Sequence, residues 1–332
     1  MVKSGILPLA AVRDKLGRRV LAFTNLLMGS LAAQRLLTAL VVLLGVSSIT
    51  FFLLHLVPGD PIEVMLGESA NIADRAQLRA ELGLDAPLLQ QWSEFHQGLL
   101  RFDFGYSLYS KKPIAAMLAN RIPWTFLLAG VSLLVAIGIA VPLGIIAALR
   151  PNTMWDSIAA TISLVGVSIP NFLLGPLLII VFSIGLGWFP VSGNDGVSSI
   201  VLPALTLGAS LAAILSRMVR ASLLEVLSEE YIVSARARGL ASGTVVLFHA
   251  LPNAALPVLT IIGLQLGALL GGAVITEMIF AWPGIGQLTI EAIQRRDYPL
   301  VQACVLVISF TYVAVNTVTD LVYARVDPRI QQ

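Results

Sequence analysis

Charge is what this sequence has least of. Only 12% of its 332 residues are Asp, Glu, Lys or Arg, where a soluble domain carries about a quarter. Since 57% are hydrophobic and the mean hydropathy is +0.87, lipid must solvate much of the surface. The net charge is only +2 and no basic cluster is interleaved with aromatics, so no nucleic-acid partner is expected. Cysteine is nearly absent: Cys304 stands alone, forms no internal disulfide and reads as a small core residue. His55, His96 and His249 lie far apart and lack metal-ligand spacing such as HExxH, so no metal is expected. No GxxxxGK[ST] occurs, nor any Gly-Lys pair, and a chain without a P-loop is expected to bind no nucleotide cofactor. Ser192-Gly193 lacks the frame of a nucleophile elbow and no span-interior histidine can serve it as base, so this is not expected to be an enzyme.

What is present is a set of apolar runs. Crossing a bilayer takes about 20 mostly apolar residues in a helix, and six segments qualify: 36–57, 124–149, 158–182, 199–215, 255–275 and 300–322. The second has no charged residue, whereas the fourth is short and holds Pro203. Pro142, Pro170 and Pro176 would break helices in water but are tolerated where neighbouring helices satisfy the freed backbone. Gly263, Gly267 and the pair Gly271-Gly272 would let helices approach closely. Ionisable groups are scarce in these runs: Asp320 and His55 fall near span ends and Arg217 just past one. A proton or ion relay is therefore not evident, and no internal repeat points to a duplicated secondary transporter.

Orientation follows from basic residues. Lys3, Arg13, Lys15, Arg18, Arg19 and Arg35 precede the first run, opposed only by Asp14, which places this end in the cytoplasm. Six spans return the C-terminus to the same side. The extension 1–34 shows no cleavage site after its short apolar stretch and reads as an interfacial helix or a loose basic arm. Two loops exceed a connector's length. The external one, 58–123, contains helical periodicity at 74–82 and 87–101. The cytoplasmic one, 217–253, continues the fourth span.

The cytoplasmic loop carries the most information. Glu229 and Glu230 begin a helical run and Arg236 and Arg238 end it, as the helix dipole favours. Gly239 can then close the helix in the left-handed conformation. A second short helix follows Ser242 or Thr244 and ends near Leu251-Pro252. The stripe Tyr231, Ile232, Ala235 and Leu240 suits insertion into a groove of a cytosolic partner; an ordinary basic juxtamembrane loop fits the periodicity equally well.

A resemblance decides between these. Gly239, nine residues, His249, one residue, then Leu251-Pro252 resembles the EAA loop of ABC importer permeases, EAA-x3-G-x9-I-x-LP. The EAA positions read Val233-Ser234-Ala235 and His249 replaces Ile. Tyr231-IVS-Ala235-Arg236-Ala237-Arg238-Gly239 is instead similar to the peptide/nickel branch. LVPGDP at 56–61, LGLDAPL at 82–88, FDFGYS at 102–107, VSIPNFLLG at 167–175, LGWFPVSG at 186–193, LPALTLG at 202–208, ITEMIFAWPGIGQL at 275–288, RDYPLVQ at 296–302 and DPRI at 327–330 also look like signatures of this dipeptide/oligopeptide/nickel family, and within it of the dipeptide permease B-type subunit.

The resemblance implies an all-α integral membrane protein of the type I ABC importer permease fold, its transmembrane domain at 35–332, in a bacterial-type inner membrane. It implies a second homologous permease, two ABC ATPase subunits that hold the ATP and Mg, and an extracytoplasmic substrate-binding protein. Di- or oligopeptides, or a small peptide such as glutathione, would be the substrate. Nickel-chelate uptake is the alternative within transport, and a membrane scaffold or receptor the alternative outside it. Glu230, Tyr231, Ala235, Arg236, Ala237, Arg238, Gly239, Leu251 and Pro252 would dock the ATPase. Trp282, Pro283, Gly284 and Gly286, ahead of a short helix at 287–294, would shape the outer gate and meet the binding protein.

Overall fold

A computed structural model of the chain describes residues 37–326 apart from positions 54, 57–61, 63–65, 67–70 and 82. The expectations for the extension 1–34 and for DPRI lie outside the described residues. Every described element is a helix or turn, apart from one isolated bridge between Tyr106 and Pro113.

The first apolar run forms α1, Leu37–Leu53. In the loop beyond it stand α2, Ile72–Glu81, and α3, Leu88–Leu100, where the periodicity places them. α3 lies beside α1: Trp92 Nε1 donates to Ser48 Oγ at 3.0 Å, and His96 Nε2 and Ser47 Oγ are 2.9 Å apart. α4, Ile114–Leu149, has 36 residues with Pro123 and Pro142 inside it. Its length is about 54 Å at 1.5 Å per residue, well beyond a hydrocarbon core of about 30 Å. It starts ten residues before the expected span.

The third expected span is not one helix. α5, Met154–Ser168, and α6, Asn171–Leu178 with a π-helical continuation Ile179–Gly185, meet at a bend of 105°. Pro170 disfavours a helical Ile169, whose φ of −87° and ψ of 115° are extended. Pro170, read from the sequence as tolerated within one span, instead sits at the break. The fourth run is α7, Val201–Leu227, entered through a 3-10 turn at Val197–Ile200. Pro203 falls in its first turn, where a missing N–H leaves no hydrogen bond unmade. α7 continues twelve residues past the expected end at 215.

α8, Glu230–Ala237, is the first helix of the segment 217–253. The second, opening at Ser242, does not end at Leu251-Pro252. It passes through a π-helical turn, Val245–Ala250, straight into α9, Leu251–Ile279. α10, Ile285–Gln294, and α11, Tyr298–Val326, complete the chain. Among the described residues four helices are long and apolar enough to cross a membrane, and the bent α5–α6 pair makes a fifth crossing if it is one span.

α7 is the central post, packed against α4, α5 and α9. Backbones approach where side chains are small. A Cβ on Gly144 would lie 2.6 Å from Val219, and one on Gly208 would lie 2.7 Å from the Ser132 carbonyl. Gly166 faces Ala213 in the same way. Gly263 and Gly267 seat α9 against Thr319 and Tyr312 of α11, while Gly271 has open space around it.

Candidate functional site

Two constructions stand out at opposite ends of the bundle, an elbow formed around α8 and a clasp formed at the end of α9.

The elbow is built by Gly239. Its φ of +80° is a left-handed conformation that costs an L side chain energy. Its N–H donates to Arg236 O at 2.9 Å and that of Leu240 to Ala235 O at 3.4 Å, a Schellman closure. The chain reverses and re-enters a helix at Ser242. An eight-residue helix has one apolar stripe to bury, and the bundle itself takes most of it. Ile232 and Ala235 are 0% and 2% exposed and pack with Ala148, Leu223, Val245, Ala250 and Ala254. Ala235, expected among the docking residues, is turned toward the bundle and holds the elbow to it. The outward face carries Glu230, Tyr231, Arg236, Ala237, Arg238 and Gly239. Leu251 is half-buried and Pro252 exposed where the returning helix becomes α9.

A residue that sequence reasoning passed over ties the elbow to α9. Asn253 Nδ2 donates to Tyr231 Oη at 2.8 Å and to His249 O at 3.0 Å. Pro252 cannot donate a backbone hydrogen bond, and the side-chain amide next to it serves a carbonyl of this irregular turn. Its only signal in the sequence is its place directly after Leu251-Pro252.

The clasp centres on Glu277, which the expected span 255–275 left in a loop. It lies inside α9 and is 0% exposed. Its carboxylate accepts from Thr125 Oγ1 at 2.6 Å, from Gln287 N at 3.1 Å and from the Gly286 N–H. Thr125 Oγ1 in turn accepts from Ile285 N at 2.9 Å. The first turn of α10, whose N–H groups lack intrahelical partners, is thus closed by an acid from another helix, a placement the helix dipole favours.

Trp282 completes the clasp. Its N–H donates to Glu277 O at 2.8 Å and its indole to Trp124 O at 2.9 Å, with the two indole rings edge to face at 5.5 Å. A Cβ on Gly284 would strike the Glu277 carboxylate, and one on Gly286 would lie 2.5 Å from Val274 Cα. Those glycines are required by close approach. Trp282, Gly284 and Gly286 are buried and Pro283 is half-buried. Trp282, Gly284 and Gly286, expected at an outer gate, thus lie inside this end of the bundle, with Pro283 at its surface. Nearby, Ser107 Oγ donates to Asp297 Oδ2 at 2.5 Å and Leu108 N to Oδ1 at 3.0 Å, joining FDFGYS to RDYPLVQ.

The family model for the binding-protein-dependent transport system inner membrane component matches residues 140–332, and the model for its N-terminal part matches 28–129. The chain belongs to this family. It is 42% identical over 298 residues to the glutathione transport system permease protein GsiC of Escherichia coli (strain K12), covering 90% of this chain and 97% of that protein. The GsiC of Shigella flexneri serotype 5b (strain 8401) is 41% identical over the same length.

Among solved structures, an inward-facing MetNI methionine ABC transporter aligns with a TM-score of 0.54 at 19% identity, over 64% of this chain and 96% of that one. An amino acid ABC transporter with histidines aligns at 0.51 and 13% identity, over 64% and 94%. These likenesses show the fold. The chain is thus a permease of the ABC importer class, in its dipeptide/oligopeptide branch, and a multi-pass inner-membrane protein. Among the described residues no group of His, Cys, Asp and Glu could hold a metal.

Proposed function

We propose that this permease forms one half of the translocation pathway of an importer for short peptides, glutathione first among them. The observation that carries the substrate class is end-to-end likeness to a glutathione permease across 90% of the chain. Six crossings are counted as α1, α4, the bent α5–α6 pair, α7, α9 and α11. The basic residues before α1 put the elbow and both termini in the cytoplasm.

A second related permease supplies the other half of the path, two ATPase subunits hold ATP and Mg, and a binding protein delivers substrate from outside. Tyr231, Arg236 and Arg238, with Glu230, Ala237 and Gly239 beside them, contact one ATPase. Ile232, Ala235 and Asn253 make the elbow rigid enough to transmit its motion, with Leu251 and Pro252 leading that motion into α9. The clasp around Trp282 and Glu277 holds the outer gate, leaving Pro283 and its surroundings to meet the binding protein.

The test is purification of the tagged chain in mild detergent, then uptake of labelled glutathione by the recovered assembly in proteoliposomes, with unlabelled dipeptide and nickel chelate as competitors. Recovery of a second permease and ATPases, with competition by dipeptide, supports the proposal. Competition by the nickel chelate alone would reassign the substrate. Recovery of the chain without ATPases would remove the importer assembly.

A further inference from the structure

α7 is the most enclosed of the crossing helices: 61% of its apolar window is buried, against 28–33% for the other three unbroken ones. One stripe of it stays open. Ser210 and Ile214 are half-buried and Arg217 and Ala221 exposed, a spacing of four, three and four residues that lies along a single helix face. Ser210 and Arg217 interrupt its apolar residues Ile214 and Ala221.

Ser210 shares a cavity of about 70 Å³ with Asn171 at the start of α6 and Gln265 of α9. These three polar side chains make no hydrogen bond among the described residues. Unpaired amide and hydroxyl groups facing hydrocarbon are costly. Two turns along, about 10 Å toward the elbow, Arg217 lines a second cavity of about 620 Å³ between α4, α5 and α7.

The charges in that second cavity are unequal. Asp156 is engaged by Arg220, whose Nε and Nη2 reach its two oxygens at 2.6 and 2.7 Å. Arg217 has no carboxylate partner among the described residues. An exposed cation with no carboxylate partner, at the end of the open stripe, offers a place for an anion.

We propose that the open stripe of α7, with Asn171 and Gln265, is this chain's share of the substrate path for an anionic short peptide, its peptide groups hydrogen-bonding at Ser210 and Gln265 and a carboxylate passing to Arg217. The partner permease supplies the facing wall. The substrate class rests on the function proposed above; the lining of the path does not.

The complete importer in proteoliposomes, with Cys304→Ser as background, separates the two. Ser210→Cys and Gln265→Cys should react with a water-soluble sulfonated thiol reagent at least about tenfold faster than Phe310→Cys, on the apolar face of α11, in the nucleotide-free or the ATP-trapped state. Equal protection of all three positions in both states overturns the path, whatever the substrate.

With labelled glutathione and its C-terminal amides, Arg217→Gln should lower uptake of the free acid about ten- to a hundredfold more than of the amide, as the loss of a charge-assisted hydrogen bond implies, and Arg217→Lys should recover part of it. An equal loss for both, or a loss that vanishes in vesicles without phosphatidylglycerol, overturns the carboxylate assignment, the latter by giving Arg217 to a lipid headgroup. Should the wild-type assembly import neither peptide, the substrate reading falls and the thiol labelling still decides the path.

Discussion

Replacement of Glu277 tests the clasp most directly. Its carboxylate is wholly enclosed and receives Thr125 Oγ1, Gln287 N and the Gly286 N–H. Glu277→Ala strands these donors away from water, and a buried donor left unpaired costs about 1–3 kcal/mol. The losses are not additive, because Thr125 can turn its hydroxyl and α10 can shift, so about 3–5 kcal/mol is expected for the clasp. Glu277→Gln keeps the volume and one acceptor but turns an NH2 toward donors, and about 2 kcal/mol is expected.

The assay is thermal unfolding of the purified importer with site-directed labelling of Ile293→Cys, exposed near the end of α10, in a Cys304→Ser background. Both substitutions should lower the melting temperature and speed labelling, with Glu277→Ala the larger. In a cycle with Thr125→Val the pair should show a coupling of about 1–3 kcal/mol. Unchanged melting and labelling in Glu277→Ala would refute the reasoning, since the donors would then have partners other than this acid.

Other substitutions address the elbow and the bundle. Gly239→Val should leave folding nearly intact, because no atom lies within 4 Å of the added Cβ, while the left-handed φ costs about 1–2 kcal/mol. ATPase activity should persist and its coupling to uptake should fall, which paired assays in proteoliposomes measure. Ala235→Leu overpacks the contact between elbow and bundle, where about 1–3 kcal/mol is typical; cross-linking from Arg236→Cys to the ATPase should weaken along with it. Gly267→Val meets Tyr312 and should separate α9 from α11, seen as lost expression or a lowered melting temperature, with Tyr312→Ala restoring part of it.

Much of the architecture was legible in the sequence. Apolar runs of the right length found α1, α4, α7, α9 and α11, because hydrocarbon tolerates few charges and a helix alone satisfies its own backbone there. α2 and α3 were visible from their periodicity. Gly239 was visible as a helix stop, since its conformation depends on local sequence. The extent of helices was less visible: α4, α7 and α9 all outrun the apolar runs that revealed them, as helix propagation needs backbone hydrogen bonds and no apolar side chains.

Composition by itself determined that this chain has membrane-spanning runs and no P-loop motif, and the order of its motifs carried the resemblance to ABC importer permeases. Each of these depends on residue type or spacing along the chain. The tertiary structure decided which side of α8 faces the bundle, so that Ala235 is an internal support while Arg236 and Arg238 look outward. It also turned Pro170 into a break of 105°, brought Glu277 to Thr125 across 152 residues of sequence, and left the stripe of α7 that carries Ser210 and Arg217 uncovered. Such pairings are set by which helices lie side by side, and a one-dimensional pattern carries the faces of each helix without naming the neighbour that covers them.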